Sequence, residues 1–539
     1  MKRTTLSLFA ATAALAALGG VAVLTAPSGA EGGGSAARTA AKAPARLPVQ
    51  RSMALCPAPT SSDVGETAYT AFTPAGGAAA KGVKGAKDAK KGTAELLSAA
   101  GGRNDDSSTD DSSKKDDKGS KGKKDDKGDK EAKGSKPPAP AGTSVLSLKD
   151  PGKPATAGTS RSDAPALIGS ADGTLAPGWT VQQTTVVAAG SGRGLHGLTC
   201  TAPDTSFWFP GASTAKGRQD YVHLTNPDST AAVVDLELYG KDGRIASGAG
   251  EGVTVPPRST VPVLLSSLTD APADDITLHV AARSGRVGAG LQASDDKKGG
   301  DWLPASAEPA ADAVLPGIPG DATSVRLVVF APGSDDADLK LRFAGPNGTI
   351  TPAGHESLHV RSGMTAAVDL GDVTKGEAGS LLLTADGSSA PVVAALRVTR
   401  GKDDKQETAF IPAVQQLGGR ATVADNRPKG STLALVAPGK EAAQVKVTSS
   451  AGSEGGEPAE KTYTVKPGTT LTMEPPQPAG AKGSFAVTVE KVSGGPVHAS
   501  RMLALPKDGL PMFTIQPLPD DRSSVKVPEA AQDLSMLNR

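Results

Sequence analysis

Aromatic residues make up only 3% of this 539-residue chain, and it has just two cysteines and six histidines. Few aromatics leave little material for the exposed ring platforms that polysaccharide-binding modules use. Two cysteines without a partnered histidine do not fill a tetrahedral zinc site. The formal net charge is +1, so no global field draws nucleic acid or an anionic membrane. Nothing in the sequence matches G-x-S-x-G, a Walker A loop or a paired-carboxylate motif. "GSGRGLHG" near Gly190 lacks the following helix and Gly-Lys-Ser/Thr of a phosphate loop. These absences argue against an enzyme. They give no catalytic residue, no cofactor and no metal site.

Gly (65) and Pro (42) are abundant, and hydrophobic residues account for 37%. That profile fits small β domains with a disordered portion. The N-terminus carries Lys2 and Arg3, then an apolar run from Leu6 to Ala26, then Ser28-Gly29-Ala30 before Glu31. This pattern is an export signal. An uncleaved membrane anchor is the alternative, because about 20 apolar residues also span a bilayer. The protein is therefore expected outside the cell, either secreted or on the outer face of the cytoplasmic membrane. Residues 31–45 read as a flexible tether, and a K/D/G-rich tract at about 75–141 as a disordered insertion.

A repeat of about 105 residues organises the rest. "YVHLTNPD" from Tyr221, "RLVVFAPG" from Arg326 and "TLALVAPG" from Thr432 each end an apolar strand at a Pro-containing turn. Asp242-Gly243 and Asn347-Gly348 are dipeptides that favour a type I′ hairpin turn. Val287, Val392 and Val497 keep the same spacing in the later strands. Upstream, "FWFPG" from Phe207 matches the closing "DWLPA" from Asp301, which makes it the end of a first unit. "RSMALCPAP" then opens that unit, with Cys56-Pro57 in the place of Asn226-Pro227. The expected units are 46–208, 209–312, 313–412 and 413–518, followed by a tail at 519–539. About seven short strands per unit predict an all-β fold of tandem immunoglobulin-like or fibronectin-III-like sandwiches. Cys56, late in an opening strand, and Cys200, in a penultimate strand, are expected to form a disulfide in an oxidising compartment.

One motif suggests chemistry. His355-Glu356-Ser357-Leu358-His359 fits the zinc signature H-E-x-x-H, which needs both histidines on one face of a helix. His359 is in register with Thr254 and Thr464, and Val360 with Val255 and Val465, all in alternating apolar-polar segments. The segment is expected to be a strand, with Glu356 on the face opposite the histidines, so a zinc hydrolase is the least favoured function. His223 and His279 read as sheet histidines, and Trp208 as a core residue aligned with Trp302.

The export segment, "LCPAP", the K/D/G-rich insertion, the "TC…FWFPG" junction and the Pro-turn units resemble a family of secreted actinobacterial proteins. That family is designated domain of unknown function 5719. The resemblance implies a cell-envelope location in a high-GC Gram-positive bacterium and carries over no catalytic residue. The expected function is non-catalytic: display of sandwich domains for structural or protein-interaction roles. Binding of cell-wall polysaccharide is the alternative. The expected partner is accordingly an envelope protein or a wall glycan, and not nucleic acid.

Overall fold

The computed structural model describes residues 45–76, 92–101, 141–190, 192–387 and 390–527. The export segment, the tether, most of the charged tract and the last twelve residues lie outside them. Within 47–525 the described residues build four antiparallel β-sandwiches, with short 3-10 turns and no α-helix.

The second sandwich shows the plan. One sheet runs Ser206–Ala212, Ile276–Ser284, Ala232–Gly240, Gly243–Ile245, with Val253–Val255 also on Ala232–Gly240. The other runs Gly299–Leu303, Gly288–Asp295, Arg218–Thr225, Ser259–Leu264. Ala232–Gly240 alternates buried and half-buried residues along its whole length, the period-two pattern of a strand with one face on a core. Val234, Leu236, Leu238, Leu278 and Leu291 fill that core. The third sandwich repeats both sheet orders, and the fourth does so except that its short strand Gly455–Glu457 pairs with Ala479–Lys482 in a separate two-stranded sheet.

The hairpins form, but not with the expected turn. Gly240 pairs with Gly243 and Gly345 with Gly348, so the loops are Lys241-Asp242 and Pro346-Asn347. A type I′ turn needs positive φ at both loop residues, and Pro346 is locked near −65°. The positive φ moves one residue on, to Gly243 (104°) and Gly348 (144°), where a glycine adopts it without a Cβ clash.

Three expectations for the first sandwich are corrected. The strand Ser206–Ala212 pairs with Ile276–Ser284, so "FWFPG" opens the second sandwich and spans the expected 208/209 boundary. Its counterpart is Ala313–Ile318: both bulge at a Pro-Gly pair, Pro210-Gly211 and Pro316-Gly317, with φ of 99° and 90° at the glycines. The first sandwich instead closes on Gly194–Thr199, and Cys200 follows that last strand. Second, Arg51–Cys56 is the counterpart of Ser206–Ala212, not of the strand before Asn226-Pro227. The true equivalent of that Pro turn is Thr73-Pro74, after Gly65–Phe72, in "YTAFTPAG". Third, the charged tract is interrupted by structure. Ala94–Ser98 is a central strand with Leu96 wholly buried. Ala100–Gly101 then adds in parallel to the edge of Ser259–Leu264 in the second sandwich.

The four sandwiches close into a ring. The closing strands Gly194–Thr199, Gly299–Leu303, Glu407–Pro412 and Phe513–Pro517 lie side by side around an axis, and the fourth touches the first. Sheets also stack across the junctions. Trp208, Phe330 and Val393, with Tyr239, join the second sandwich to the third, and Val314, Ala344, Leu382 and Val436 join the third to the fourth. The junction of fourth and first differs. Its buried Thr70, Gln182, Thr184, Thr422 and Thr488 lie between two small apolar contacts, Phe72 with Ala424 and Ala486, and Leu195 and Val186 with Leu503 and Met512. A C-terminal segment crosses this junction. Leu518 is held in the fourth sandwich by Ala499 O (3.0 Å), and Asp521 by a buried ion pair with Arg420. Ser523 O then accepts from Val49 N (3.0 Å) on the first sandwich.

Candidate functional site on the ring axis

The closing strands set which side chains meet at the axis. In their own sheets His196 pairs with Thr185, Asp301 with Ala293, Ala409 with Val398 and Thr514 with Leu503. These are equivalent register positions, so His196, Asp301, Ala409 and Thr514 share one layer. Two residues earlier the layer is Gly194, Gly299, Glu407 and Met512.

Asp301 is wholly buried and links sandwiches. Its Oδ1 accepts from Gly197 N (2.9 Å) of the first and from Trp302 N (2.7 Å), while its Oδ2 is buried without a hydrogen-bond partner. Gln516 Nε2 donates to Thr514 Oγ1 at 2.7 Å. Burial pushes the Asp301 pKa well up, against the hydrogen bonds it accepts. His196 donates from Nε2 to Gly192 O at 2.9 Å, and burial lowers its pKa to about 4, which keeps the ring neutral. Arg501 is wholly buried beside them, and its Nη2 donates to Ala424 O at 3.1 Å. Burial lowers its pKa to about 10, with Asp425 opposing.

Glu407 sits at one end of the axis because glycines leave it room. A Cβ added at Gly299 would lie 2.7 Å from Glu407 Oε2. Arg193 Nε donates to Glu407 Oε1 (3.2 Å), and its Nη2 donates to Lys297 O (2.9 Å) and Gln406 O (3.0 Å). One arginine of the first sandwich thus ties loops of the second and third. Burial outweighs the Arg193 guanidinium and raises the Glu407 pKa from 4.5 to about 7. For an acid raised in the folded state, the stabilisation is complete below pH 4.5 and is lost as pH rises through 7. Stability should therefore fall between these values by about 3 kcal/mol from this group. Glu407→Gln should flatten that stretch of the melting temperature–pH curve. An unchanged slope in the variant would remove Glu407 as its source.

The two cysteines pair as expected. Cys56 and Cys200 form a disulfide with Cα atoms 4.6 Å apart, bridging the opening strand and the end of the closing strand. Beside it Leu55 and Thr201 exchange backbone hydrogen bonds of 2.8 and 3.0 Å. In the H-E-x-x-H segment the strand is Ser357–Val360, paired with Ala337–Lys340. His355 and Glu356 lie in the turn before it, a correction to the expectation that one strand carries all three residues. Gly354 N donates to Glu356 Oε1, while His359 Nδ1 bonds Asp338 Oδ1 (2.8 Å). Among the described residues no group of three His, Cys, Asp or Glu side chains is placed to hold a metal ion.

Sequence reasoning missed the axial residues. The available signal was the proline ending three closing strands, Pro304, Pro412 and Pro517: three positions before it stand Asp301, Ala409 and Thr514. A polar residue at a position that is apolar in another copy marks a place where the repeat has been put to a different use.

None of the curated proteins compared with the chain matches it. A family model described as "Family of unknown function (DUF5719)" matches residues 155–476, from the strand Ala155–Thr159 of the first sandwich to just past Thr469–Met473 of the fourth. That match spans more than half of the chain and three of the four junctions' worth of repeat, and with it the chain belongs to the DUF5719 family.

Proposed function

We propose that this protein is exported to the cell envelope and that its ring is an interaction scaffold, not an enzyme built around its axis. One observation carries the reading. The axial carboxyl Asp301 is enclosed and is hydrogen-bonded to the first sandwich, so the polar cluster on the axis works as a joint. A disulfide between residues 144 apart supports an oxidising compartment. The wall-glycan alternative loses its best candidates, because Trp179, Trp208 and Trp302 are all buried and form no exposed platform.

The test is in-cell cross-linking of the mature protein, followed by mass spectrometry, alongside binding to deproteinised cell wall. Cross-links to envelope proteins without retention on the bare wall are expected. Retention by the bare wall would favour the glycan reading. Substrate turnover abolished by Asp301→Asn would end the scaffold account of the axis.

A further inference from the structure

Away from the axis, three neighbouring strands of the second sandwich bring together Ser206, His279 and Glu237. His279 lies opposite both Trp208 and Glu237 in register, and Ser206 is two residues before Trp208 on the same face. Ser206 Oγ is 3.1 Å from His279 Nε2, and His279 Nδ1 is 2.9 Å from Glu237 Oε2. Burial works against ionisation of Glu237, but hydrogen bonds from His279 and from the Tyr239 hydroxyl (3.0 Å) hold its pKa below the usual carboxylate value. An ionised Glu237 accepts a hydrogen bond from Nδ1–H, which leaves the Nε2 lone pair facing the serine hydroxyl. The Trp208 indole lies flat on the imidazole, with centroids 3.7 Å apart and planes 6° from parallel, and so fixes the ring's plane.

We propose that Ser206, His279 and Glu237 form a nucleophile–base–acid relay that accepts an acyl group from a carboxylic ester. The arrangement meets the geometric requirement of an activated serine: nucleophile and base in hydrogen-bond reach, with the base oriented by a third group. All three side chains are half-buried, so each keeps part of its surface in solvent. Ser206 is on an edge strand. Ala282 N bonds Thr205 O, which makes 205 and 282 the hydrogen-bonded pair and turns the Ser206 N–H away from Ile276–Ser284, to the side on which Ser306 N caps Trp208 O. That amide is a donor for the carbonyl oxygen as it gains charge. The equivalent positions in the third sandwich are Asp312, Leu382 and Arg342, which cannot form the relay, so the site is particular to the second.

In the step itself, Ser206 Oγ adds to the ester carbonyl carbon and its proton passes to His279 Nε2. The carbon–alkoxy bond breaks, and the leaving alcohol takes that proton. Water then adds to the acyl-serine with His279 as base. The carbon–Oγ bond breaks, Ser206 recovers a proton, and the carboxylic acid departs. The net change is ester plus water to acid plus alcohol. This activity goes beyond the scaffold reading and does not rest on it, since the relay lies on a sheet face and not in the axis.

The test uses the purified full-length protein with a fluorophosphonate probe, peptide mapping by mass spectrometry, and hydrolysis of p-nitrophenyl acetate. Label on Ser206 is expected. Ser206→Ala should abolish it, and His279→Gln should slow labelling at least about a hundredfold, the low end of general-base contributions. Glu237→Gln should slow it less and shift the pH profile. Ser206→Ala removes one hydroxyl at a half-buried edge position, so it should melt with the parent, which ties loss of label to the nucleophile. Absence of label on Ser206, or equal labelling in His279→Gln, would overturn the proposal and leave a structural hydrogen-bond chain.

Discussion

Replacing Cys56 and Cys200 together with serine should cost the folded ring about 2–5 kcal/mol, read as a lower urea midpoint. The bond closes a loop between residues 144 apart, and chain entropy alone gives about 5 kcal/mol for so long a loop. It also replaces packing. The residues equivalent to Cys56 in the other sandwiches are Ala212, Ile318 and Asn426, each wholly buried at the start of the same strand pairing. Two serines there would bury hydroxyls where a sulfur pair now sits. The same loss should follow from reducing the parent protein. Coincident oxidised and reduced urea curves would show that the backbone pair Leu55–Thr201 holds the strands unaided.

Val360→Asp should be comparably severe, at about 3–5 kcal/mol. Val360 pairs with Ala337, as Val255 pairs with Ala232 and Val465 with Ala443, and all three valines are fully buried. A carboxylate at that site has to lose its hydration without a partner, or protonate. Equilibrium urea unfolding reads the effect. A Val360→Asp protein within about 1 kcal/mol of the parent would mean that the face is less enclosed than its three-fold recurrence indicates, since surface changes stay near 0.5 kcal/mol.

The valine register shows what the sequence made legible. Alternation plus repetition located strands and faces without any structure, because both signals are local or recur at fixed spacing, whereas the disulfide followed from two cysteines in a chain expected to be exported. The opening strands were misplaced for a physical reason. "FWFPG" and "DWLPA" are alike because each is a buried strand with an aromatic centre and a proline at its end, and local composition does not distinguish opening from closing. What distinguishes them is the hydrogen-bond partner: Ile276–Ser284 for one and Gly288–Asp295 for the other. Ala94–Ser98 was hidden because five apolar-rich residues stand beside a charged tract whose composition dominates any window. The ring, the axial carboxyl and the Ser206 relay depend on strands far apart in sequence. No spacing rule links Ser206, Glu237 and His279, and the motif that did catch attention, at His355, is a turn running into a strand.

The polar junction between the fourth and first sandwiches bears on the order in which the protein is made. The first sandwich emerges first, and domains generally fold as they emerge. Its outer face, with Thr70, Gln182 and Thr184, must wait for a partner that arrives three sandwiches later. The faces joining second to third and third to fourth wait for one sandwich only, and those carry Trp208, Phe330, Leu382 and Val436. An apolar face left bare during that delay would invite association between nascent chains. A face lined largely by hydroxyls and amides tolerates water until closure, and the segment that fastens it, Leu518 to Ser523, follows the closing strand of the fourth sandwich.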